Sequence, residues 1–295
     1  ASVQNPNRST LPTAAFVWHK IKAFYPELLV SVLLAGVVYL CSGAGIAEMI
    51  TSGVKTLFSS LLLLRMTGII PDYADWNGPA WYLSSMVIGL CIVYPLLRRY
   101  GAHALLLLSA LCLCGYLAKT NGSITMVYHW NGICYSGNFR AVAELILGAF
   151  AWHGARWLGA HPLPVVVRIA LTLVKWLGIL FVLFISQVVW MKWDGVCLLA
   201  LWSVIVICFS NQSVDRVLFQ NRLCLFLGAF SLPLYLSHRV WTFRLGSIID
   251  LQGMTRWEIL ALLGVFSLAS ALVTMYGARL LRKLVLRGSY MAIPE

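Results

Sequence analysis

The side chains best suited to acid–base chemistry lie in two short stretches of this sequence. Arg140 and Glu144 stand four residues apart in GNFRAVAELILG, so on a helix they share one face and can pair. His238 follows Tyr235 by three residues in FSLPLYLSH, and its ordinary pKa of about 6.5 suits it to take a proton from a hydroxyl. A structural ion pair and a hydrogen-bonded core histidine are the open alternatives.

A second group of candidates is basic and lies near the amino terminus. In WHKIKAFYPEL, Lys20 and Lys22 precede Tyr25 and Pro26. Their ammonium groups could attract the phosphates of an anionic cofactor at the membrane surface. Anchoring to lipid headgroups is the alternative that the same residues allow. Because proline is tolerated in the first turn of a helix, Pro26 predicts a helix start at or near this position.

A polar turn followed by aromatic residues forms the third group. The stretch PDYADWNGPAWYLSS places Asp72 and Asp75 before Asn77 and opens a new helix at Trp81. The Asn-Gly-Pro segment cannot continue a helix. The two carboxylates could serve acid–base work or hold a cation, whereas a solvated loop between helices explains the same residues without chemistry.

Composition determines the setting of these side chains. Of 295 residues, 60% are hydrophobic and 11% are charged, against about 25% charged residues in soluble domains. This excludes a soluble enzyme, a disordered chain and a secreted disulfide scaffold, and it predicts an integral membrane protein. The net charge of +12 is expected to face anionic membrane lipid rather than nucleic acid. Eight cysteines without a C-x-x-C pair predict inert thiols and no metal site.

The elements that position the candidates must be helices. Only helical bundles and closed barrels satisfy all backbone polar groups in lipid, and the apolar runs here are continuous rather than alternating. The sequence therefore predicts an all-α, polytopic transmembrane helical bundle. Its candidate segments are residues 28–46, 54–70, 81–97, 102–118, 138–156, 168–190, 195–210, 223–244 and 257–280.

Basic residues in the connections indicate which segments cross the membrane. They fall on one side only if one early segment fails to cross, and segment 54–70, which contains Arg65, is the best candidate. We therefore expect about eight crossing helices and one re-entrant or tilted segment. Residues 1–295 are predicted to form one membrane-embedded domain, with a basic connector (1–26) and a tail (281–295) that both face the cytoplasm.

Four motifs follow one another along nearly the whole chain: WHKIKAFYPEL, NGPAWYLSS, FRAVAELILG and LGAFSLPLYLSH. In this order they resemble acyltransferase family 3, a family of polytopic membrane O-acyltransferases. The resemblance implies transfer of an acyl group, commonly acetyl from acetyl-CoA, to a hydroxyl of a cell-envelope or exported carbohydrate. The implied partners are membrane lipid, acyl-CoA and a carbohydrate or lipid-linked glycan acceptor. The implied location is the bacterial cytoplasmic (inner) membrane, as a multi-pass protein.

The resemblance, together with the spacing of Arg140 and Glu144, gives three roles to the candidate residues. The catalytic candidates are His238, Arg140 and Glu144, with a histidine acting as general base on the acceptor hydroxyl. The substrate-binding candidates are Asn77, Trp81 and Tyr235. The cofactor-binding candidates, which would meet the phosphates of acetyl-CoA, are Lys20 and Lys22. No metal is implied.

The chain departs from the family pattern at its beginning. Family members open with a helix that carries an arginine and the histidine usually regarded as catalytic, followed by a second helix that ends in Ser-Gly. We expect that this chain begins just after that second helix. Two other readings of the function stay open. One is a transporter or flippase of an envelope precursor, in which the intramembrane charges line a path, and the other is an inactive truncated fragment.

Overall fold

The computed structural model describes residues 11–43, 45, 47, 49–69, 77–120, 127–188 and 193–290. Apart from one isolated bridge between Trp130 and Tyr135, no strand occurs among these residues. The helices are α1 (Thr13–Cys41), α2 (Val54–Leu61), α3 (Ala80–Ala104), α4 (Leu106–Lys119), α5 (Ser136–Ala160), α6 (Val165–Val188), α7 (Asp194–Ser210), α8 (Arg216–Phe219), α9 (Arg222–Ser237), α10 (Arg239–Ile248) and α11 (Arg256–Tyr290). The prediction of an all-α helical bundle is confirmed.

Several of these helices can cross a membrane. Of the described residues, those in α1, α3, α6 and α11 form helices that are long and apolar enough, and α9 and α10 pass the same test as a pair bent by 54°. The helices α4 and α7 are apolar but shorter. The chain is therefore an integral, multi-pass membrane protein, and the number of about eight crossings stays a prediction.

In the segment predicted to be re-entrant, the only helix among the described residues, 54–69, is short. A π-helical turn (Met49–Gly53) leads into α2, which has eight residues. At a rise of 1.5 Å per residue α2 spans about 12 Å, less than half of the roughly 30 Å of membrane hydrocarbon. The backbone then leaves helical geometry at Leu63, which has a left-handed φ of 56°. This helix is too short to cross alone, which agrees with the expectation for residues 54–70.

Helix α1 begins earlier than the sequence predicts. It starts at Thr13 and contains Pro26 in its interior, so the prediction of a helix start near Pro26 is wrong. The proline cannot donate a hydrogen bond to the carbonyl of Lys22, one turn before it. Membrane helices tolerate this loss because neighbouring groups satisfy the freed carbonyl. Lys20 and Lys22 consequently lie on a helix rather than in a connector.

The chain packs as two compact units, each built from separated stretches. The first unit comprises Ala1–Val17 and Ser85–Cys224, and the second comprises Trp18–Ser84 and Leu225–Glu295. The single domain over residues 1–295 stays a prediction.

The first unit is built around α5. Val93 of α3 and Leu105 at the start of α4 pack with Val142 and Ile146 of α5 in one buried cluster. On its other side α5 approaches α7 so closely that a Cβ atom at Gly159 would lie 2.9 Å from the carbonyl oxygen of Ser210. Only glycine fits there, as is typical of close contacts between membrane helices.

The second unit joins α1 and α11, two helices far apart in the sequence. In α10, Trp241 packs in a buried cluster with Ala35 of α1, and its Nε1 donates a hydrogen bond of 2.6 Å to Ser270 Oγ of α11. Arg282 of α11 donates to both carboxylate oxygens of Glu27 in α1, at 2.7 and 2.6 Å. These contacts fix α1, α10 and α11 against one another.

Candidate functional site

His238 occupies the break between α9 and α10, in the second unit. Its Nδ1 lies 3.1 Å from the carbonyl oxygen of Leu234 and 2.9 Å from that of Tyr235. Because a carbonyl oxygen can only accept, Nδ1 must carry the hydrogen, and Nε2 of the neutral ring keeps its lone pair. The ring is half-buried. The local backbone thus selects the tautomer that a general base requires.

Aromatic rings connect His238 to the start of α3 within the same unit. The Tyr235 and His238 ring centroids are 6.3 Å apart, and Tyr235 meets Tyr82 edge to face at 6.4 Å. Tyr82 in turn meets Trp81 at 5.6 Å. These spacings lie in the range of favourable aromatic pairs. The structure therefore brings together three candidates, Trp81, Tyr235 and His238, and adds Tyr82, which sequence reasoning missed although it is the direct neighbour of Trp81.

Asn77 is held just before α3 by buried partners from distant parts of the chain. It is 2% exposed, and its Nδ2 donates to Ser31 Oγ at 2.9 Å. Its backbone carbonyl accepts from Nη1 of Arg65 at 2.6 Å, and Arg65 is also 2% exposed. The Asn77 Oδ1 atom is buried without a hydrogen-bond donor among the described residues. A buried acceptor of this kind is available to a hydroxyl of a bound molecule.

The non-helical segment that carries Arg65 is also tied to α3. Ser84 Oγ donates to the carbonyl of Leu63 and accepts from the backbone N–H of Met66 at 3.3 Å. Irregular backbone at membrane depth persists only where protein or a water-filled cavity satisfies its polar groups. Ser84 and Arg65 therefore fix the first turn of α3, which presents Trp81. No local pattern could have revealed Ser31 or Ser84, since isolated serines are common in membrane helices.

Arg140 and Glu144 form the predicted ion pair in the first unit. The Nε of Arg140 lies 2.6 Å from Glu144 Oε1, and the side chains are 19% and 17% exposed. Tyr116 of α4, which is 2% exposed, lies within the electrostatic reach of both charges. The pairing at i,i+4 is confirmed. The position of Tyr116 near this pair could not be predicted, because Tyr116 lies in an apolar run with no pattern that distinguishes it.

The candidate residues are distributed over both units. Arg140 and Glu144 belong to the first unit, and the other six belong to the second. Their catalytic and binding roles stay predictions.

The two lysines of α1 do not share a face of that helix. They stand two residues apart, and residues at this spacing point in different directions. Lys22 is exposed and its Nζ lies 5.3 Å from the Trp18 ring, an arrangement typical of a membrane-interface anchor. Lys20 is half-buried. Their role toward a cofactor stays a prediction.

No metal-binding site is present among the residues that the structure describes. Among those residues, no group of three or more His, Cys, Asp or Glu side chains is placed to hold a metal ion. Asp72 and Asp75 lie outside the described residues. All eight cysteines are free thiols.

A further buried charge pair joins α6 to the connection after α7. The Lys175 side chain is 1% exposed, and its Nζ donates to both oxygens of Asp215 at 2.5 and 2.7 Å. Trp176 Nε1 donates to the same carboxylate at 2.8 Å. Burial by itself would raise the pKa of Asp215, but hydrogen bonds from Lys175, Trp176 and Ser213 and the charge of Lys175 lower it below its ordinary value.

A protein-family model described as an acyltransferase domain matches residues 3–276 of the chain. The match covers all eight candidate residues and stretches of both units. Comparison with curated proteins and comparison with solved structures gave no match.

Proposed function

Because this chain belongs to acyltransferase family 3, we propose that it is a membrane O-acyltransferase that moves an acetyl group from acetyl-CoA to a hydroxyl of a cell-envelope or exported carbohydrate. The family membership makes it a membrane acyltransferase in general. The donor, the acceptor and the bacterial inner membrane as its location are parts of the proposal.

The observation that carries the proposal is the state of His238 in the helix break. With Nδ1 held by two backbone carbonyls, Nε2 can take the proton of an acceptor hydroxyl as its oxygen attacks the thioester carbonyl. A new C–O bond forms and the C–S bond breaks. The proton then passes from Nε2 to the departing thiolate, which leaves as CoA with a free thiol.

The surroundings of His238 suit a carbohydrate acceptor. Tyr235, Tyr82 and Trp81 offer apolar ring faces and polar edges, which match the apolar face and hydroxylated rim of a sugar. The unsatisfied Oδ1 of Asn77 can accept a hydrogen bond from a sugar hydroxyl.

The charged candidates take separate proposed roles. The half-buried guanidinium of Arg140, oriented by Glu144, is proposed to donate to a negatively charged group of the acyl donor or the acceptor. The ammonium groups of Lys20 and Lys22 can attract the phosphates of acetyl-CoA.

The test replaces His238 and a matched histidine. His161 is the control because its Nδ1 also meets a carbonyl four residues earlier, that of Trp157 at 2.7 Å. The full chain in lipid nanodiscs is given acetyl-CoA and oligosaccharides prepared from bacterial envelope glycans, and release of free CoA thiol is followed. We expect H238Q to lower the acceptor-dependent rate about 10²- to 10⁴-fold and H161Q to leave it unchanged. Equal rates in H238Q and the wild type, with equal unfolding temperatures, would contradict the proposal.

The break between α9 and α10 also favours a second function, which is transport of an envelope precursor. Transporters place substrate sites at discontinuous helices of this kind. The described pair α9 and α10 is such a broken helix. Sealed liposomes separate the two functions. A transporter moves a labelled lipid-linked glycan across the membrane without acetyl-CoA, whereas the acyltransferase releases CoA thiol in detergent, where no membrane separates two compartments.

A further inference from the structure

One end of the first unit gathers the ends of four helices. Beyond a break in α3 at Gly101, whose φ of 76° and ψ of 171° are not helical, the His103 ring lies 5.4 Å from the ring of His153, about two turns before the end of α5. Beyond the end of α7, Gln212 Nε2 donates to the carbonyl of His161 just after α5, at 3.0 Å. Arg168, near the start of α6, donates from Nε to the carbonyl of Gln212 at 3.1 Å. The structure thus places the ends of α3, α5 and α7 and the beginning of α6 together.

The exposed side chains at this place are basic. Arg99 and His103 of α3 are exposed, as is Arg156 of α5. Arg156 follows His153 by three residues, so both lie on one face of α5, and the charge of Arg156 reaches the His153 ring. We call Arg99, His103, His153 and Arg156 the basic end.

The acidic residues of the first unit do not neutralise the basic end. Of those in its described part, Glu144 is paired with an arginine and Asp215 with a lysine. Asp194 is the first residue of α7, and the 1.5 Å rise per residue puts it about 24 Å along the axis from the end that lies here. The positive charge of the two arginines of the basic end is therefore not neutralised by an acidic residue in the part of this unit that the structure describes.

Exposed aromatic side chains accompany these charges. Tyr100 is 53% exposed and Trp157 is 67% exposed, and the Arg99 guanidinium lies 5.3 Å from the Tyr100 ring centroid. Tyrosine and tryptophan beside arginine are typical of the level of the lipid headgroups. Leu107, which follows in α4, is 70% exposed. A free phosphate would use only the charges, whereas a phospholipid uses both the charges and the apolar side chains.

We propose that the basic end is a binding site for an anionic glycerophospholipid, such as phosphatidylglycerol, whose phosphate meets His103, His153 and Arg156. The acyl chains extend along the exposed apolar residues that begin at Leu107. Basic pockets between membrane helices bind anionic headgroups in this way. The site is independent of the proposed acyl transfer.

The experiment compares two double variants that remove equal charge. R99Q with R156Q changes the basic end, and K119Q with R222Q removes two exposed basic residues of the same unit that lie outside it. Each full-length protein is reconstituted in nanodiscs of phosphatidylcholine with one fifth phosphatidylglycerol, and native mass spectrometry measures the ratio of the two lipids retained. We expect the first double variant to lose the preference for phosphatidylglycerol about tenfold or more, and the second to lose at most about twofold. The single change R156K, which keeps the charge, is expected to retain the preference.

The other outcomes overturn the proposal. An equal loss in both double variants would show a diffuse attraction by net charge, and no loss in either would show that the basic end binds no anionic lipid. A third arm adds free CoA to nanodiscs of phosphatidylcholine alone. Binding of CoA that R99Q with R156Q abolishes, without any preference for phosphatidylglycerol in the wild type, would assign the site to the phosphates of a soluble donor instead. The unfolding temperature of each variant in phosphatidylcholine shows that it is folded.

Discussion

Two ion pairs of the first unit have similar chemistry and different surroundings. Lys175 is 1% exposed and its ammonium contacts both oxygens of Asp215, which also accepts from Trp176. Arg140 and Glu144 are 19% and 17% exposed and meet through one contact along a single helix. The first pair joins two elements and has its polar atoms satisfied, while the second lies within one helix and is partly exposed to solvent.

The difference distinguishes charges that stabilise the fold from charges that can contact a substrate. A closed pair between elements stabilises the fold but has no donor to offer a substrate. An i,i+4 pair on the surface of a helix adds about 0.2 to 0.5 kcal/mol to stability, and a partly exposed charge can also contact a substrate. His238 belongs with the accessible group, because its backbone contacts engage Nδ1 and leave Nε2 open.

Breaking the closed pair should have the largest effect on stability. K175M leaves the Asp215 carboxylate buried without its cation, which costs about 3 to 5 kcal/mol. The matched variant K175M with D215N removes both charges and should be much less destabilised. Chemical denaturation in one detergent measures both. If the double variant is as unstable as the single one, the unpaired charge is not the cause. Acyl transfer per folded molecule should be unchanged in the double variant.

Changing the pair of Arg140 and Glu144 should affect activity more than stability, which is the opposite of what we expect for Lys175 and Asp215. R140Q removes the proposed donor to a bound anionic group and should lower the rate of acyl transfer about 10²-fold. Its unfolding free energy should fall by less than that of K175M, because the pair lies within one helix and Glu144 is more exposed than Asp215. R140K, which keeps the charge but not the planar fork, should lie between R140Q and the wild type. A strongly destabilised R140Q with normal activity per folded molecule would place this pair in the structural group.

The pH dependence of stability sharpens the same comparison. The pKa of Asp215 is lowered in the folded state, so its ion pair contributes fully above the unfolded value of about 3.9. That contribution is lost as pH falls through the lower folded pKa, with a slope of at most about 1.4 kcal/mol per pH unit for one group. Acid unfolding of the wild type should therefore show a steeper loss than K175M with D215N. Identical pH profiles would exclude Asp215 from acid unfolding.

The smallest effects are expected at the lysines of α1. K20A with K22A should raise the KM for acetyl-CoA about threefold to tenfold, since exposed charges contribute at most about 1 kcal/mol each. K119A, a basic residue at the end of α4, is the control. An unchanged KM in the double variant would leave Lys22 as a membrane anchor beside Trp18.

Periodicity and composition were sufficient to predict the local features of this protein. The apolar runs predict helices, and the i,i+4 spacing predicts the contact of Arg140 with Glu144, because both depend on residues close in sequence. Tyr82 meets Tyr235, and Lys175 meets Asp215 forty residues later. Such contacts depend on how helices pack, which no local pattern contains.

The two wrong or incomplete expectations near the amino terminus have a physical cause. Sequence rules place Pro26 at a helix start because water-soluble helices rarely tolerate it further inside. In α1 the proline lies in the interior, as bilayer helices allow. The lysines before it were consequently expected in a connector, and their opposite directions on the helix could not be foreseen.

The ion pair between Glu27 and Arg282 has a consequence for biosynthesis. Its partners are 255 residues apart, so α1 leaves the ribosome long before α11 is made. The stretch Ser85–Cys224 is continuous and can assemble while translation proceeds. The second unit instead waits for α11, and until then α1 must be kept in the bilayer by lipid, by transient partners or by the insertion machinery.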